Sequence, residues 1–194
     1  MKRLSPSASI ALSALAVASL TACGSKAVVG VLLPTTGAAA SYGESMKHGI
    51  ELAVRQGQAD GSLSPSIRWI WGDSGSDTAK AVAGLTSLAK QGAHILIAVQ
   101  SSDEAKAFLP ELERLNVVAL SPSASAPGLT KDSRMFFRVF ASDELEGRRA
   151  GRFLREEQDD ATVLIYAEDS EQARGIEPPF RQVFEQSMAG TVVG

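Results

Sequence analysis

The chain has 194 residues, a formal net charge of −3 and 44% hydrophobic residues, which is the composition of an ordinary globular protein. These values exclude a disordered tail and a collagen-like repeat, and a single cysteine excludes a disulfide scaffold. A slightly acidic chain also lacks the concentrated basic face that a nucleic-acid backbone requires, so we expect no nucleic-acid partner. With two histidines, His48 and His94, metal sites and histidine-dependent catalysis are not expected.

Residues 1–23 have the composition of an export signal. Lys2 and Arg3 form a short positive region, and the apolar stretch 10–20 that follows is too short to span a bilayer. The stretch ends in Leu20-Thr-Ala-Cys23 and resembles a bacterial lipoprotein signal. This resemblance implies cleavage before Cys23, lipidation of its thiol and anchoring to the extracytoplasmic face of a bacterial membrane. The alternative is a plain secretory signal with an incidental cysteine.

After the signal, short apolar runs alternate with amphipathic segments. The apolar runs predict strands at 27–33, 67–71, 94–99, 117–120, 135–140 and 162–167, with one more starting at 191–193. Trp69 and Trp71 fit one strand face, where we expect them to pack in the core. Strict alternation of strands and helices predicts an α/β fold with a doubly wound parallel sheet and helices on both faces.

Helix-end signals and helical spacing mark the segments between these strands. Ser41-Tyr-Gly-Glu44 has the spacing of a capping box for a helix ending at Gly57, and Asp77 is expected to cap the next helix. Pro178-Pro179 suits the first turn of the last helix. The expected buried stripes are Met46, Ile50, Ala53 and Val54; Val82, Leu85 and Ala89; Ala105, Phe108, Leu109, Leu112 and Leu115; Ala150, Phe153 and Leu154 on a helix over 144–157; and Phe180, Val183 and Phe184.

The predicted elements amount to one complete lobe and the beginning of another. The first sheet is complete by about Phe140, whereas 160–194 supplies too few elements for a second core. We therefore expect a fragment of a longer two-lobe protein; the alternative is that the last unit packs onto the first sheet. The predicted divisions are a signal at 1–23, a first ligand-binding lobe at 27–142, a crossover helix and hinge at 143–160, and the start of a second lobe at 161–194.

Three loops at the carboxyl ends of the predicted strands are rich in hydroxyl-bearing and small residues: 34–43, 100–102 and 121–127. Ligands of a doubly wound sheet bind at this edge. The helix starting near Asp103 offers free N–H groups and its dipole to an anion, and Ser101 and Ser102 could add hydroxyl donors there. The alternative is that Ser101 or Ser102 only caps the helix.

Catalytic motifs are missing from the sequence. It contains no G-x-S-x-G, no P-loop and no G-x-G-x-x-G after the first strand. The run 73–77 resembles part of a calcium loop, but Gly84 stands where a bidentate glutamate is required. The sequence therefore predicts a protein that is not an enzyme and that uses no metal and no cofactor.

Several motifs together resemble a known family. Val29-Gly-Val-Leu-Leu-Pro-Thr-Thr-Gly37, Tyr42-Gly43 and Gly49-Ile-Glu-Leu-Ala53 resemble the opening of type I periplasmic binding proteins, and most closely the branched-chain amino-acid receptors of ABC importers. The run 121–130, and Phe136-Phe-Arg-Val139 with Asp143, are similar to two later signatures of that branch. The resemblance runs from Ala27 to Val193 and implies a ligand cleft between two lobes, next to a membrane permease.

Carried over by position, the resemblance implies a binding site for an amino acid or a related small polar solute. Ser101, with Ser102, would bind the ligand carboxylate. Ser125 and the backbone around Ser123 would bind the ammonium group.

Two further positions belong to the implied cleft, and one segment departs from the family pattern. Tyr42 would form a wall against the ligand side chain, and Asp143 matches an acidic position at the cleft edge. After the second-lobe strand many relatives have Tyr-Gly, whereas this chain has Glu168-Asp-Ser-Glu-Gln-Ala-Arg174.

Three functions remain open on the sequence. The leading one is a solute receptor of an ABC importer, with a small-molecule ligand, a permease and the membrane as partners. The second is a lipoprotein of the same fold that regulates cell-wall synthases, since lipoprotein activators of penicillin-binding proteins have a similar opening. The third is a small enzyme on a Rossmann-like sheet, which the missing motifs disfavour. The pair Ser101 and Ser125 favours transport.

Overall fold

The computed structural model describes residues 26–157, 162–185 and 191–193. Their strands are β1 (Val28–Leu33), β2 (Arg68–Asp73), β3 (Ile95–Ala98), β4 (Val118–Ser121), β5 (Phe136–Arg138), β6 (Thr162–Leu164) and β7 (Thr191–Val193). Their helices are α1 (Ala40–Ala59), α2 (Thr78–Lys90), α3 (Ser102–Leu115), α4 (Asp143–Glu157) and α5 (Glu171–Glu185). The predicted signal at 1–23, with Cys23, lies outside the described residues. No described helix combines the length and apolar character needed to cross a bilayer.

The first five strands form one parallel sheet in the order β2-β1-β3-β4-β5. Val31 in β1 lies opposite Trp71 in β2 on one side and Ile97 in β3 on the other. The predicted parallel α/β sheet is therefore confirmed. Strands β6 and β7 pair with each other in a separate two-stranded parallel sheet.

The strand order reverses direction between β1 and β3. The chain leaves β1 towards β2 on one side and leaves β3 towards β4 on the other. The loops that follow these strands diverge and open a crevice at the carboxyl edge of the sheet, where doubly wound folds bind ligands.

The core lies where α2 and α3 pack on the sheet. Leu32, Leu85, Leu96, Phe108 and Phe136 are fully or almost fully buried there. The predicted stripe of α3 is buried from Ala105 to Leu112, whereas Trp71 is 41% exposed because β2 is an edge strand. The apolar run of β1 is buried from Gly30 to Leu33, where β1 lies inside the sheet between β2 and β3.

The predicted capping box at Ser41 is wrong. Helix α1 starts at Ala40, and its N-cap residue, Ala39, makes no side-chain cap. The Ala39 N–H instead donates to Ser76 Oγ at 2.9 Å, from the loop after β2. A long-range contact thus replaces the local one, which is why the sequence pattern was misleading.

The buried face of α4 also differs from the prediction. Ala150 is exposed and Phe153 is 62% exposed, whereas Gly147 and Gly151 are buried. A Cβ atom on Gly151 would lie 2.7 Å from the Phe180 carbonyl oxygen of α5. Helices α4 and α5 thus approach closely along the Gly147–Gly151 side, whereas Phe153 faces outward and Leu154 is half-buried.

Helix α5 starts earlier than predicted. It begins at Glu171, and Pro178 and Pro179 lie inside it. The Ser170 hydroxyl accepts a hydrogen bond from the Ala173 N–H at 3.1 Å and so acts as the helix cap, which the sequence analysis did not identify. The predicted buried stripe of Phe180, Val183 and Phe184 is correct.

Candidate ligand-binding site

A cleft of about 450 Å³ lies at the carboxyl edge of the five-stranded sheet. The term cleft refers below to this cavity and its lining residues. Five of the six predicted site residues line it: Tyr42, Ser101, Ser102, Ser123 and Ser125. The remaining lining residues are Met46, Gln100, Asp103, Phe140, Glu168, Ser170 and Gln172. The structure therefore brings the three hydroxyl-rich loops together and adds the segment that follows β6.

Ser101 is both the N-cap of α3 and a residue of the cleft. Its hydroxyl oxygen accepts the Glu104 N–H at 3.1 Å, and its carbonyl accepts the Ala105 N–H at 3.0 Å. The N–H groups of Ser102 and Asp103 precede the first intrahelical bond and have no acceptor within the helix. Because the Ser101 oxygen accepts a bond, its proton stays available to a ligand, so capping and ligand binding are compatible.

Ser102 joins the start of α3 to residues 121–127, which we call the serine loop. Its hydroxyl oxygen accepts the N–H of Ser125 at 3.1 Å and the N–H of Ala126 at 3.0 Å. Ser102 is only 6% exposed. With two accepted bonds, the Ser102 hydroxyl is left to donate its own proton, in the same way as Ser101.

Two other serines hold the serine loop in place. The Ser121 hydroxyl donates to the Val99 carbonyl at 3.1 Å and accepts the Ala124 N–H at 2.9 Å. The Ser123 hydroxyl donates to the Gln100 carbonyl at 2.6 Å. The Ser123 side chain is therefore engaged in the fold. Its backbone, rather than its hydroxyl, fits the role in ammonium binding that the family resemblance implies.

Arg138 holds the same loop from the other side, and sequence reasoning did not single it out. Its Nη1 donates to the carbonyls of Ser125 at 2.6 Å and Ala126 at 2.8 Å, and lies 3.5 Å from that of Ala124. A charged residue within an otherwise apolar strand needs buried acceptors, and this was the available signal. These bonds hold the carbonyls of Ser125 and Ala126 in fixed positions.

Asp143 does not line the cleft. It is 0% exposed, and neither carboxylate oxygen has a hydrogen-bond partner among the described residues. Burial raises the pKa of the Asp143 carboxyl; the nearby Ser125 hydroxyl and Arg138 guanidinium offset this in part, and the Glu146 charge adds to it. A Cβ atom on Gly175 would lie 3.0 Å from Asp143 Oδ2, so Asp143 lies between the serine loop and α5.

Tyr42 stands at the rim of the cleft and is 64% exposed. The next residue, Gly43, is buried, and a Cβ atom there would collide with the Pro34 carbonyl oxygen. Helix α1 therefore presses against the loop after β1, and Tyr42 in its first turn lines the same cleft as the start of α3.

The loop between β1 and α1 is tied to β2 by Asp73. The Asp73 carboxylate accepts the N–H groups of Thr35 and Thr36 at 2.9 and 3.1 Å, and the Gly75 N–H at 2.9 Å. Burial acts to raise the pKa of this carboxyl, but these bonds and the Thr36 hydroxyl outweigh it and lower the pKa to about 2.

Glu104 is a buried acid behind the cleft. Its carboxylate accepts the Ser74 hydroxyl at 2.8 Å and the Gln100 N–H at 3.2 Å. It connects the loop after β2 to the loop after β3 and has a structural role. In the described part of the chain, no group of three or more His, Cys, Asp or Glu side chains could hold a metal ion.

Comparison with known sequences identifies a family. The sequence matches the family described as "Periplasmic binding protein" over residues 26–194. It is similar to the leucine-, isoleucine-, valine-, threonine- and alanine-binding protein of Pseudomonas aeruginosa, with 25% identity over 156 residues. That match covers 79% of this chain and 42% of the relative.

Solved structures agree on the fold. The branched-chain amino-acid transporter substrate-binding protein LivJ of Streptococcus pneumoniae, in complex with isoleucine, matches with a TM-score of 0.75 and 26% identity over 83% of this chain and 47% of LivJ. A solute-binding protein of an ABC transporter from Rhodopseudomonas palustris BisB5, in complex with 3,4-dihydroxybenzoic acid, matches with a TM-score of 0.77, covering 86% of this chain and 46% of that one. At 18% identity, the second match shows the fold alone.

This chain spans less than half the length of each of these relatives, and the structure holds about one lobe of the fold. The family and the relatives are binding proteins, which agrees with the prediction that the chain is not an enzyme. With the family match over 26–194 and the parallel five-stranded sheet, the chain belongs to the type I periplasmic binding proteins, and its relatives include binding proteins named for branched-chain amino acids.

Proposed function

We propose that this protein is the extracytoplasmic receptor of an ABC importer and that it binds an amino acid or a related small solute in the cleft. The observation that carries the proposal is the pair Ser101 and Ser102, whose oxygens accept backbone N–H groups and whose protons remain to be donated. Together with the first N–H groups of α3, these hydroxyls form a binding site for one carboxylate.

The named ligands of two relatives support this choice of ligand class. The Pseudomonas aeruginosa relative is named for five amino acids, and LivJ was solved with isoleucine. Every one of these ligands carries an α-carboxylate and an α-ammonium group. In our proposal the carboxylate binds Ser101 and Ser102, the ammonium binds near Ser123 and Ser125, and Tyr42 contacts the ligand side chain.

The cellular setting is part of the proposal. Residues 1–23 direct export, Cys23 carries the lipid anchor, and the anchored receptor delivers its solute to a permease. Cys23→Ser should abolish acyl labelling of the protein in cells, and unchanged labelling would contradict the anchor. The predicted lobes at 27–142 and 161–194, joined by a hinge at 143–160, would close around the ligand.

Direct binding measurements test the function. Isothermal titration and ligand-observed NMR of the purified protein against the common amino acids should detect saturable binding that a Ser101→Ala variant weakens. Absence of binding to every amino acid would contradict the receptor proposal and favour the regulatory lipoprotein described above.

A further inference from the structure

We infer that the cleft selects a solute that carries a second positive charge in addition to the α-ammonium group, such as a basic amino acid. This inference rests on the proposed function and names the ligand class within it. It is carried by the charges that line the cleft and by the pairing of the cations around it.

The ionisable charges of the cleft are all negative. Asp103, in the first turn of α3, and Glu168, in the segment after β6, both line it. Its described lining contains no lysine, arginine or histidine. Neither carboxylate takes part in an ion pair with a residue in the described part of the chain.

The nearest cations in sequence are already paired with other acids. Lys106 Nζ lies 3.0 Å from Glu171 Oε1, and Arg174 Nη2 lies 3.1 Å from the same oxygen. Arg174 also pairs with Asp169. The acids at 169 and 171 therefore have partners outside the cleft, whereas Glu168 is left for an incoming group.

A ligand carboxylate at Ser101 and Ser102 binds beside the Asp103 charge. The α3 dipole and the two hydroxyls favour this carboxylate, but two unpaired acids in one cleft oppose any ligand with too little positive charge. The α-ammonium of a neutral amino acid compensates one acid. A second cationic group compensates the other, and its value increases as the cleft excludes water.

The lining also contains the apolar Met46 and Phe140, but its uncharged polar residues favour the same ligand class. Gln100, Ser170 and Gln172 line the cleft with amide and hydroxyl groups. An aliphatic ligand side chain would remove water from these groups without replacing their hydrogen bonds, which penalises binding. A side chain that ends in an ammonium or guanidinium group supplies donors to the same groups.

The test compares four amino acids on the purified protein by isothermal titration and ligand-observed NMR: lysine, arginine, glutamine and leucine. Lysine and arginine should each bind at least about 10-fold more tightly than leucine. Glu168→Gln should weaken lysine binding about 10-fold and change glutamine binding less than about twofold. Asp103→Asn should also weaken lysine binding more than glutamine binding.

Glu113→Gln is the matched control, because Glu113 is an exposed acid in the last turn of α3, outside the cleft lining. It makes the same change of charge and should leave all four affinities unaltered. Leucine binding as tightly as lysine, or equal losses for lysine and glutamine in Glu168→Gln, would overturn this inference and leave the proposed function standing. Failure of these four amino acids to bind while another common amino acid binds would also overturn the inference alone, whereas failure of every common amino acid to bind would overturn the proposed function itself.

Discussion

The hydroxyl oxygen of Ser102 accepts the backbone N–H of Ser125 at 3.1 Å, across 23 positions of sequence. The same oxygen accepts the N–H of the next residue, Ala126. The start of α3 and the serine loop are therefore one hydrogen-bonded unit, and a ligand that contacts both meets groups whose relative positions are already fixed.

Ser102→Ala removes the acceptor for these two buried N–H groups. We expect it to lower the free energy of unfolding by about 1–3 kcal/mol, the cost of leaving buried donors unpaired. Urea denaturation measures this loss. Ser87→Ala, at an exposed position of α2, is the control and should change stability by less than about 0.5 kcal/mol. Equal stabilities of the two variants would contradict the role of Ser102.

Ser101→Ala and Asp77→Ala remove two helix N-caps, of which only the first lies in the cleft. Each should lower the free energy of unfolding by about 1 kcal/mol. Only Ser101→Ala should also weaken amino-acid binding, by about 10- to 100-fold, because it removes a donor to a charged group. Thermal melts and isothermal titration separate the two effects. If both variants bind as the unmodified protein does, Ser101 is a cap and nothing more.

Two glycine substitutions should change the stability of the protein in opposite directions. Gly147→Ala places a Cβ atom against the Ile176 carbonyl oxygen and the Pro179 ring, and should destabilise the protein by about 1–3 kcal/mol. Gly49→Ala, at an exposed position of α1 with nothing within 4 Å, should stabilise it by about 0.5–1 kcal/mol through helix propensity. Chemical denaturation gives both values. Tolerance of Gly147→Ala would show that α4 and α5 do not pack as closely as described.

Asp143 should make the protein less stable as the pH rises. Burial raises the pKa of its carboxyl above the ordinary 3.8, so the neutral form is the one that suits the folded chain. The contribution of the Asp143 carboxyl to the free energy of unfolding is complete below pH 3.8. It is lost as the pH rises through the raised pKa of this carboxyl in the folded protein. Asp143→Asn should therefore melt at a higher temperature than the unmodified protein at pH 7 and at a similar temperature at pH 3.

The control for this experiment is Asp60→Asn. The Asp60 carboxyl is exposed, and hydrogen bonds from Ser62 lower its pKa, so its charged form suits the folded chain. This variant should not raise the melting temperature at pH 7. A melting temperature for Asp143→Asn at pH 7 equal to or below that of the unmodified protein would contradict the account of Asp143.

Local patterns predicted the sheet and most of the cleft. The apolar runs around Val31 and Ile97 identify buried parallel strands, and the fold then brings the ends of those strands to one edge. The cap at Asp77 follows from a contact within one turn of helix, the Lys80 N–H to Asp77 Oδ1 at 2.8 Å. Features of this kind depend on neighbours in sequence and are readable without the fold.

The sequence-based predictions were wrong where the local structure depends on residues that are distant in sequence. Helix α1 starts at Ala40, and Ser76, from another loop, accepts the N–H of its N-cap residue Ala39. The buried side of α4 is set by the close approach of α5 at Gly151, which outweighs the apolar Phe153. Arg138 was noted only within a motif, since its role depends on carbonyls that lie 12 to 14 positions earlier in sequence.

The anchoring of the serine loop divides the cleft into two walls of different origin. The loop is tied to Val99 after β3, to α3 and to β5, whereas the facing wall at Glu168, Ser170 and Gln172 belongs to the segment after β6 and the first turn of α5. Substitutions at those three positions leave the bonds of the serine loop untouched. Under the proposed function, a biosensor built on this protein would be adjusted to other amino acids by substitutions in the facing wall, and the proposed carboxylate site at Ser101 and Ser102 would stay unchanged.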